Sequence, residues 1–145
     1  MIPELVDIGA PYKVLPIGIH DATLEEVERC YATNSKRRQL FKGLTEACGS
    51  LKLAGCIAVY LDGSYVTDIP YPGDYDVCWN PINVDETKLD PVFLDFTNKR
   101  SRQKSKYGGE FFLNTARADG TYFYIQYFQK DKETGLQKGI IRINL

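Results

Sequence analysis

Two short strands, each next to small or acidic residues, constrain the fold of this chain more than any other feature. The six-residue run Cys56–Leu61 is almost wholly apolar, which predicts a strand buried on both faces. Asp62-Gly63-Ser64 ends this run. After a loop rich in proline and glycine, Asp74-Tyr75-Asp76 opens a second apolar strand that ends at Trp79. We therefore expect two adjacent strands with polar residues gathered at one end.

Asp74 and Asp76 form a candidate metal site. Residues two apart in a strand project from the same face, so these two carboxylates lie side by side. Such carboxylates repel each other unless a cation lies between them. Mg²⁺ prefers carboxylate oxygens together with substrate phosphates, and a pair of such ions can stabilise a phosphoryl displacement. Taken alone, an Asp-x-Asp strand is more often an exposed polar face.

Gly63 and Ser64 form a candidate phosphate site. Gly63 has no Cβ, so a phosphate can approach the backbone closely. Ser64 offers a hydroxyl and an amide N–H, and a short helix beginning there would favour an anion. Taken alone, a Gly-Ser pair is most often a turn. Because the Gly-Ser and Asp-x-Asp elements occur in order at the ends of apolar runs, about ten residues apart, the functional interpretation is favoured.

The remaining elements predict a single domain over residues 1–145, with an extended N-terminal arm over residues 1–22. Thr23 and Glu26 have capping-box spacing and predict a first helix, and a second amphipathic helix is predicted over residues 36–54. Residues 122–129 are rich in Tyr and Phe and predict a strand, which would form a hairpin with a closing strand from Gly139 to Leu145. This order indicates an α/β (α+β) fold with a small mixed sheet and helices mainly on one face.

Composition excludes several classes of protein. The formal net charge is −1, so no overall charge attracts nucleic acid or membrane. No apolar run of membrane-spanning length and no signal peptide is present. The four cysteines form no CxxC pair, which argues against a zinc site. We expect them to be reduced thiols in a cytoplasmic protein.

Two groups of basic residues have competing interpretations. The stretch Lys99–Lys106 could grip a triphosphate or RNA, but a solvated helix face is the favoured interpretation. Arg37 and Arg38 follow a predicted helix cap at Asn34 or Ser35, and we expect them on the solvated surface rather than against a phosphate.

The chain resembles a known superfamily in these residues. Gly63-Ser64 followed by Asp74-Tyr75-Asp76 is similar to the Gly-Ser … Asp-h-Asp signature (h, hydrophobic) of polymerase-beta-like nucleotidyltransferases. Over nearly its full length, the chain resembles an uncharacterised bacterial family of nucleotidyltransferase-like proteins. The segments that carry this closer resemblance include residues 14–23, 60–67, 72–79, 89–96 and 106–110.

The resemblance implies a nucleotidyltransferase-type fold, Mg²⁺ or Mn²⁺ as cofactor, Asp74 and Asp76 as catalytic metal ligands, and Gly63 and Ser64 as nucleotide-binding residues. The superfamily also carries a third carboxylate on a later strand. The predicted strand over residues 122–129 contains no acid, so Gln126 is the expected occupant of that position. Asp95, Glu110 and Asp119 are possible substitutes by composition alone.

Two functions follow from this resemblance. The first is a minimal nucleotidyltransferase that binds NTP-Mg and transfers a nucleoside monophosphate to a hydroxyl of a protein or RNA. The second is an inactive scaffold that binds a partner protein, since small members resemble antitoxins of bacterial toxin–antitoxin pairs. The expected absence of a third acid favours the scaffold, whereas Gly63-Ser64 and the two aspartates favour the enzyme.

Overall fold

The computed structural model describes residues 1–145, which form a five-stranded sheet and four helices. The strands are β1 (Gly18–Ala22), β2 (Ala58–Asp62), β3 (Tyr75–Trp79), β4 (Gly109–Leu113) and β5 (Gly139–Asn144). The helices are α1 (Leu24–Tyr31), α2 (Ser35–Leu53), α3 (Thr97–Tyr107) and α4 (Tyr124–Tyr127), and 3₁₀ turns cover Ser64–Val66 and Pro91–Leu94. None of the helices has both the length and the apolar character that crossing a membrane requires.

The sheet is mixed, with strand order β1-β5-β2-β3-β4. β5 runs parallel to β1 and antiparallel to β2, while β3 runs antiparallel to β2 and parallel to β4. The predicted α/β class is therefore confirmed.

The two faces of the sheet have different roles. On the first face, α1, α2 and α3 pack over the main hydrophobic core, whose sheet residues include Val59, Leu61, Val77, Phe111 and Ile141. On the second face, α4 and Phe128 cover only a small apolar patch that includes Cys78, Phe112 and Ile140. The prediction that helices lie mainly on one face is confirmed, and the second face retains space for a pocket.

The helix signals in the sequence are confirmed. The Thr23 hydroxyl accepts the Glu26 N–H at 3.1 Å, and the Glu26 carboxylate accepts the Thr23 N–H at 3.3 Å, which completes the capping box of α1. The Asn34 side chain accepts the Arg37 N–H at 2.9 Å and caps α2. These signals are local, so they could be found without knowing what the helices pack against.

The predicted arm over residues 1–22 is too long. Residues Gly18–Ala22 form the edge strand β1, which pairs with β5 along its whole length. Val14 and Leu15 are buried and anchor the arm to the domain, whereas Ile17 is 68% exposed. β1 has a neighbour on one side only, and its residues alternate between partly buried and exposed, so it lacks the apolar run that identifies a central strand.

The predicted strand over residues 122–129 is wrong, and so is the predicted terminal hairpin. Tyr124 and Phe128 both pack against Phe112, at ring-centroid distances of 4.6 and 5.4 Å. Residues four apart are about 6 Å apart along one face of a helix, whereas in a strand they are about 13 Å apart, too far for both rings to pack against one residue. The aromatic residues therefore serve the short helix α4, and β5 is inserted between β1 and β2.

The basic stretch is not one regular helix. Asn98, Lys99 and Arg100 have left-handed backbone angles, so regular right-handed turns begin only after them. Its cations are largely paired: Arg102 lies 3.2 Å from Asp95, and Lys104 lies 2.7 Å from Glu110. The stretch therefore anchors this side of the fold rather than forming an unpaired cationic patch.

Candidate functional site

Three neighbouring strands place one acid each in a row on the second face of the sheet. Asp62 on β2 lies directly opposite Asp76 on β3, and Asp76 pairs in register with Glu110 on β4. Side chains directly opposite each other in a sheet have Cβ atoms roughly 5 Å apart. All three acids line one pocket of about 300 Å³, together with Gly63 and Ser64.

Asp76, the central acid, has an unusual electrostatic environment. Burial, reinforced by the charges of Asp62, Asp74 and Glu110, raises the pKa of Asp76 to about 7. The positive charge of Lys132 opposes this rise in pKa. No hydrogen bond or ion pair from another side chain stabilises the ionised carboxylate. A bound cation would therefore stabilise the ionised form of Asp76.

Lysines hold the two outer acids. Lys138 donates to the Asp62 carboxylate and, at 2.9 Å, to the carbonyl oxygen of Phe128. Burial nevertheless raises the pKa of Asp62, although Lys138 opposes this shift. Lys104 Nζ lies 2.7 Å from Glu110 Oε1, so only the central acid is left without a cationic partner.

Asp74 lies at the edge of this arrangement. It precedes β3 and is half-buried, with its carboxylate 3.8 Å from Lys104 Nζ. It lines a neighbouring depression rather than the pocket that contains Asp76. Burial and the charge of Glu110 raise the pKa of Asp74, whereas Lys104 lowers it. The structure therefore brings Asp76, Gly63 and Ser64 into one pocket and places Asp74 beside it.

The backbone at Gly63 requires glycine for two reasons. Its φ of 90° is a conformation that residues with a side chain rarely adopt. A Cβ at this position would also lie 2.9 Å from Asp76 Oδ2. The expected function of Gly63 was to admit a phosphate, and the structure shows that the missing Cβ also makes room for the Asp76 carboxylate.

Arg37 holds the loop that follows Gly63-Ser64 through hydrogen bonds to its backbone. This side chain is 3% exposed, so the expectation that it is solvated is wrong. Its guanidinium donates to four backbone carbonyl oxygens, those of Tyr31, Tyr65, Thr67 and Ile69. A run of basic residues gives no signal for this arrangement, because the acceptors belong to distant parts of the backbone.

The assignment of Gln126 as a third ligand position is wrong. Gln126 lies on α4 instead of a strand, and its side-chain oxygen accepts the Phe123 N–H at 3.0 Å. It is exposed and lines a different depression from the one that contains Asp76. The error follows from the mistaken strand, since a helix at 124–127 moves this side chain away from the sheet.

Of the three substitutes for the expected third acid, only Glu110 lies in the pocket. It is on β4, next to the strand that carries Asp76, and it faces the same pocket. The other two substitutes lie elsewhere: Asp95 pairs with Arg102, and Asp119 accepts the N–H groups of Thr121 and Tyr122. The hypothesis of an inactive scaffold stays a prediction. It loses the support of a missing third acid, because Glu110 lies in the pocket.

The donor set suits a hard divalent cation that arrives with its substrate. In the present arrangement, no three acidic, cysteine or histidine side chains are grouped closely enough to hold an ion by themselves. Mg²⁺ is usually bound through one or two carboxylates, several waters and substrate phosphates, so it does not require a complete protein cage. Asp76, unpaired and flanked by Asp62 and Glu110, meets this lesser requirement.

The pocket is also lined by cations and aromatic rings that were not among the residues predicted for the site. Lys130, Lys132 and Lys138 line it, and so do the rings of Tyr12, Phe112, Tyr124, Tyr127 and Phe128. Strand alternation could have indicated Glu110 and Phe112, which are two residues apart in β4. Tyr12 comes from the N-terminal arm, and the other residues come from α4 and the segment between α4 and β5, so their placement depends on the packing of that helix.

A larger depression, of about 480 Å³, lies between β1, β5 and α2. Its acidic side chains are already paired: Asp21 with Arg142, and Glu26 with the N-terminal amine. It therefore lacks the unpaired acid that distinguishes the pocket at Asp76.

Comparison with curated proteins finds no match, and comparison with solved structures finds none either. Residues 9–144 match the model of one protein family, which is described as a family of unknown function, DUF6932. Since this match covers almost the whole chain, the chain belongs to that family.

Proposed function

We propose that this protein is a minimal nucleotidyltransferase that binds a nucleoside triphosphate with Mg²⁺ or Mn²⁺ and transfers a nucleoside monophosphate to a hydroxyl group. The observation that carries the proposal is the row Asp62, Asp76 and Glu110, one acid on each of three adjacent strands, beside Gly63-Ser64. The resemblance of Gly63-Ser64 and Asp74-Tyr75-Asp76 to the superfamily signature supports it.

Each part of the pocket has a role in this proposal. Asp76, with Asp74 at the rim, would hold the divalent ion, which polarises the phosphates when bound. Gly63 and Ser64 receive the phosphates from the backbone side, and Lys132 offers an exposed cation with no acid bound to it at the pocket wall. Lys138 stays with Asp62 and keeps that acid fixed next to Asp76.

In the reaction, the acceptor hydroxyl oxygen forms a bond with the α-phosphorus and the bond between the α-phosphorus and the bridging oxygen breaks. Pyrophosphate leaves with the electron pair of that bond. The hydroxyl proton passes to the carboxylate of Glu110, which lies in register with Asp76. Lys104, bound to Glu110 at 2.7 Å, orients this carboxylate.

A transfer assay tests the proposal. The protein is incubated with each α-labelled nucleoside triphosphate, Mg²⁺ or Mn²⁺, and a cell lysate that supplies acceptors, and label transfer and pyrophosphate release are measured. We expect transfer by the wild type and a loss of about 100-fold or more in Asp76→Asn and Glu110→Gln. Glu86→Gln is the matched control because Glu86 is exposed and lies outside the pocket. No transfer and no pyrophosphate release by the wild type would contradict the proposal.

A further inference from the structure

One aromatic ring of the pocket packs against no other ring and bonds to no polar or charged side chain. Phe112, Tyr124 and Phe128 pack on one another, with ring centroids 4.6 to 6.3 Å apart. The Tyr12 hydroxyl donates to Asp131 at 3.3 Å. The Tyr127 ring takes no part in these pairs, forms no side-chain hydrogen bond and is 37% exposed.

A ligand with an apolar face would bury the exposed part of the Tyr127 ring. Tyr127 belongs to α4, which covers the second face of the sheet, whereas the acids come from the strands beneath. A ligand that spans the pocket would therefore meet carboxylates and Gly63-Ser64 at one side and an aromatic surface at the other. A nucleotide has this division into phosphates and a flat base.

We propose that Tyr127 is the stacking platform for the base of a nucleoside triphosphate, and that this pocket accepts purine nucleotides in preference to pyrimidine nucleotides. This inference rests on the proposed function of the same pocket. The aromatic side of the pocket carries rings without amide groups, and the nearby Gln126 is engaged with the N–H of Phe123 and lines a different depression. No Asn or Gln side chain lines this pocket to form the paired hydrogen bonds that distinguish one base edge from another. Stacking area then contributes most to the affinity for the base, and purines offer the larger area.

Tyr122 provides a matched control for Tyr127. Both are tyrosines of the same segment, and both are 37% exposed. Tyr122 lines the neighbouring depression instead of the pocket, and Lys130 Nζ lies 5.6 Å from its ring centroid. A general effect of removing a surface tyrosine would therefore appear in both variants.

The test is isothermal titration in Mg²⁺ with non-hydrolysable adenosine and cytidine triphosphate analogues and with inorganic tripolyphosphate. We expect Tyr127→Ala to bind the adenosine analogue roughly 5- to 150-fold more weakly, while its affinity for tripolyphosphate is unchanged. Tyr127→Phe keeps the ring and should keep the affinity, as should Tyr122→Ala. The wild type should bind the adenosine analogue more tightly than the cytidine analogue.

Three results would overturn the inference while leaving the proposed function in place. They are unchanged nucleotide affinity in Tyr127→Ala, an equal loss of tripolyphosphate binding in that variant, and equal affinity of the wild type for the two analogues. If the wild type binds neither nucleotide nor tripolyphosphate, both the inference and the proposed function are overturned.

Discussion

At the scale of single residues, the site depends on Gly63, because a side chain there would collide with Asp76. Gly63 combines a positive φ with the close approach of Asp76. The sequence could identify Gly63 as a special position because it sits between a strand and a serine. It could not show that Asp76 occupies the space of the missing Cβ, because that contact crosses from β2 to β3.

Gly63→Ala should destabilise the protein by about 1–3 kcal/mol, because the new Cβ adds backbone strain and a contact with Asp76. Urea denaturation measures the change. Gly120→Ala is the control, since a Cβ there would meet nothing within 4 Å, and its unfolding free energy should change by less than ~0.5 kcal/mol. Equal effects of the two substitutions would show that Gly63 is not constrained as described.

Asp76 makes stability depend on pH in a predictable direction. Its pKa rises from 3.8 to about 7 on folding, so between these values the folded state holds a proton that the unfolded state has lost. The contribution of Asp76 to stability is therefore greatest in acid and falls as the pH rises towards and through about 7. Asp76→Asn cannot ionise and lacks this loss.

Thermal unfolding in EDTA at pH 5 and pH 8 measures this effect. We expect Asp76→Asn to be more stable than the wild type at pH 8, with a smaller difference at pH 5. Adding Mg²⁺ and a non-hydrolysable nucleoside triphosphate at pH 8 should stabilise the wild type but not the variant. If the difference between the two proteins does not change with pH, the Asp76 carboxylate is not perturbed as proposed.

At the scale of secondary-structure elements, the loop after Gly63-Ser64 depends on α2. The Arg37 guanidinium is buried without an acidic partner and is balanced by four carbonyl oxygens. Three of these carbonyls belong to residues 65–69, so α2 holds the segment that leads away from the pocket.

Arg37→Met should cost on the order of 3 kcal/mol, because it leaves buried carbonyl oxygens without a donor. Arg38→Met is a closely matched control, since Arg38 is the next residue of the same helix and is exposed. Chemical denaturation of both variants tests the difference. A loss in Arg38→Met as large as that in Arg37→Met would rule out the assigned role of the four hydrogen bonds.

The elements that could be predicted from sequence are those with local signals. The caps at Thr23 and Asn34 and the apolar run of β2 lie within a few residues of the structure they specify. Residues 122–129 were misassigned because the strand preference of aromatic residues depends on what they pack against. Here the packing partner is Phe112 on β4, and nothing in the sequence near residues 122–129 indicates that they pack against it.

At the scale of the whole molecule, the main core and the candidate site lie on opposite faces of the sheet. The helices of the first face bury the main core, while the second face carries the acids and is only partly covered by α4. The net charge of −1 gives no sign of this pocket, because its three neighbouring acids lie close to three lysines. The adjacency of β2 and β3 could be expected from the sequence. The pairing of β4 with β3, which adds Glu110 to the row, could not, because a 3₁₀ turn and α3 separate these two strands in sequence.

The most direct test of the central claim is isothermal titration of a non-hydrolysable nucleoside triphosphate, in Mg²⁺ and in EDTA, into the wild type, Asp76→Asn and Glu86→Gln. If the row of acids is a metal-dependent nucleotide site, the wild type and Glu86→Gln will bind in Mg²⁺ but not in EDTA, and Asp76→Asn will not bind in either. Absence of Mg²⁺-dependent binding by the wild type, or undiminished binding by Asp76→Asn, would contradict the account.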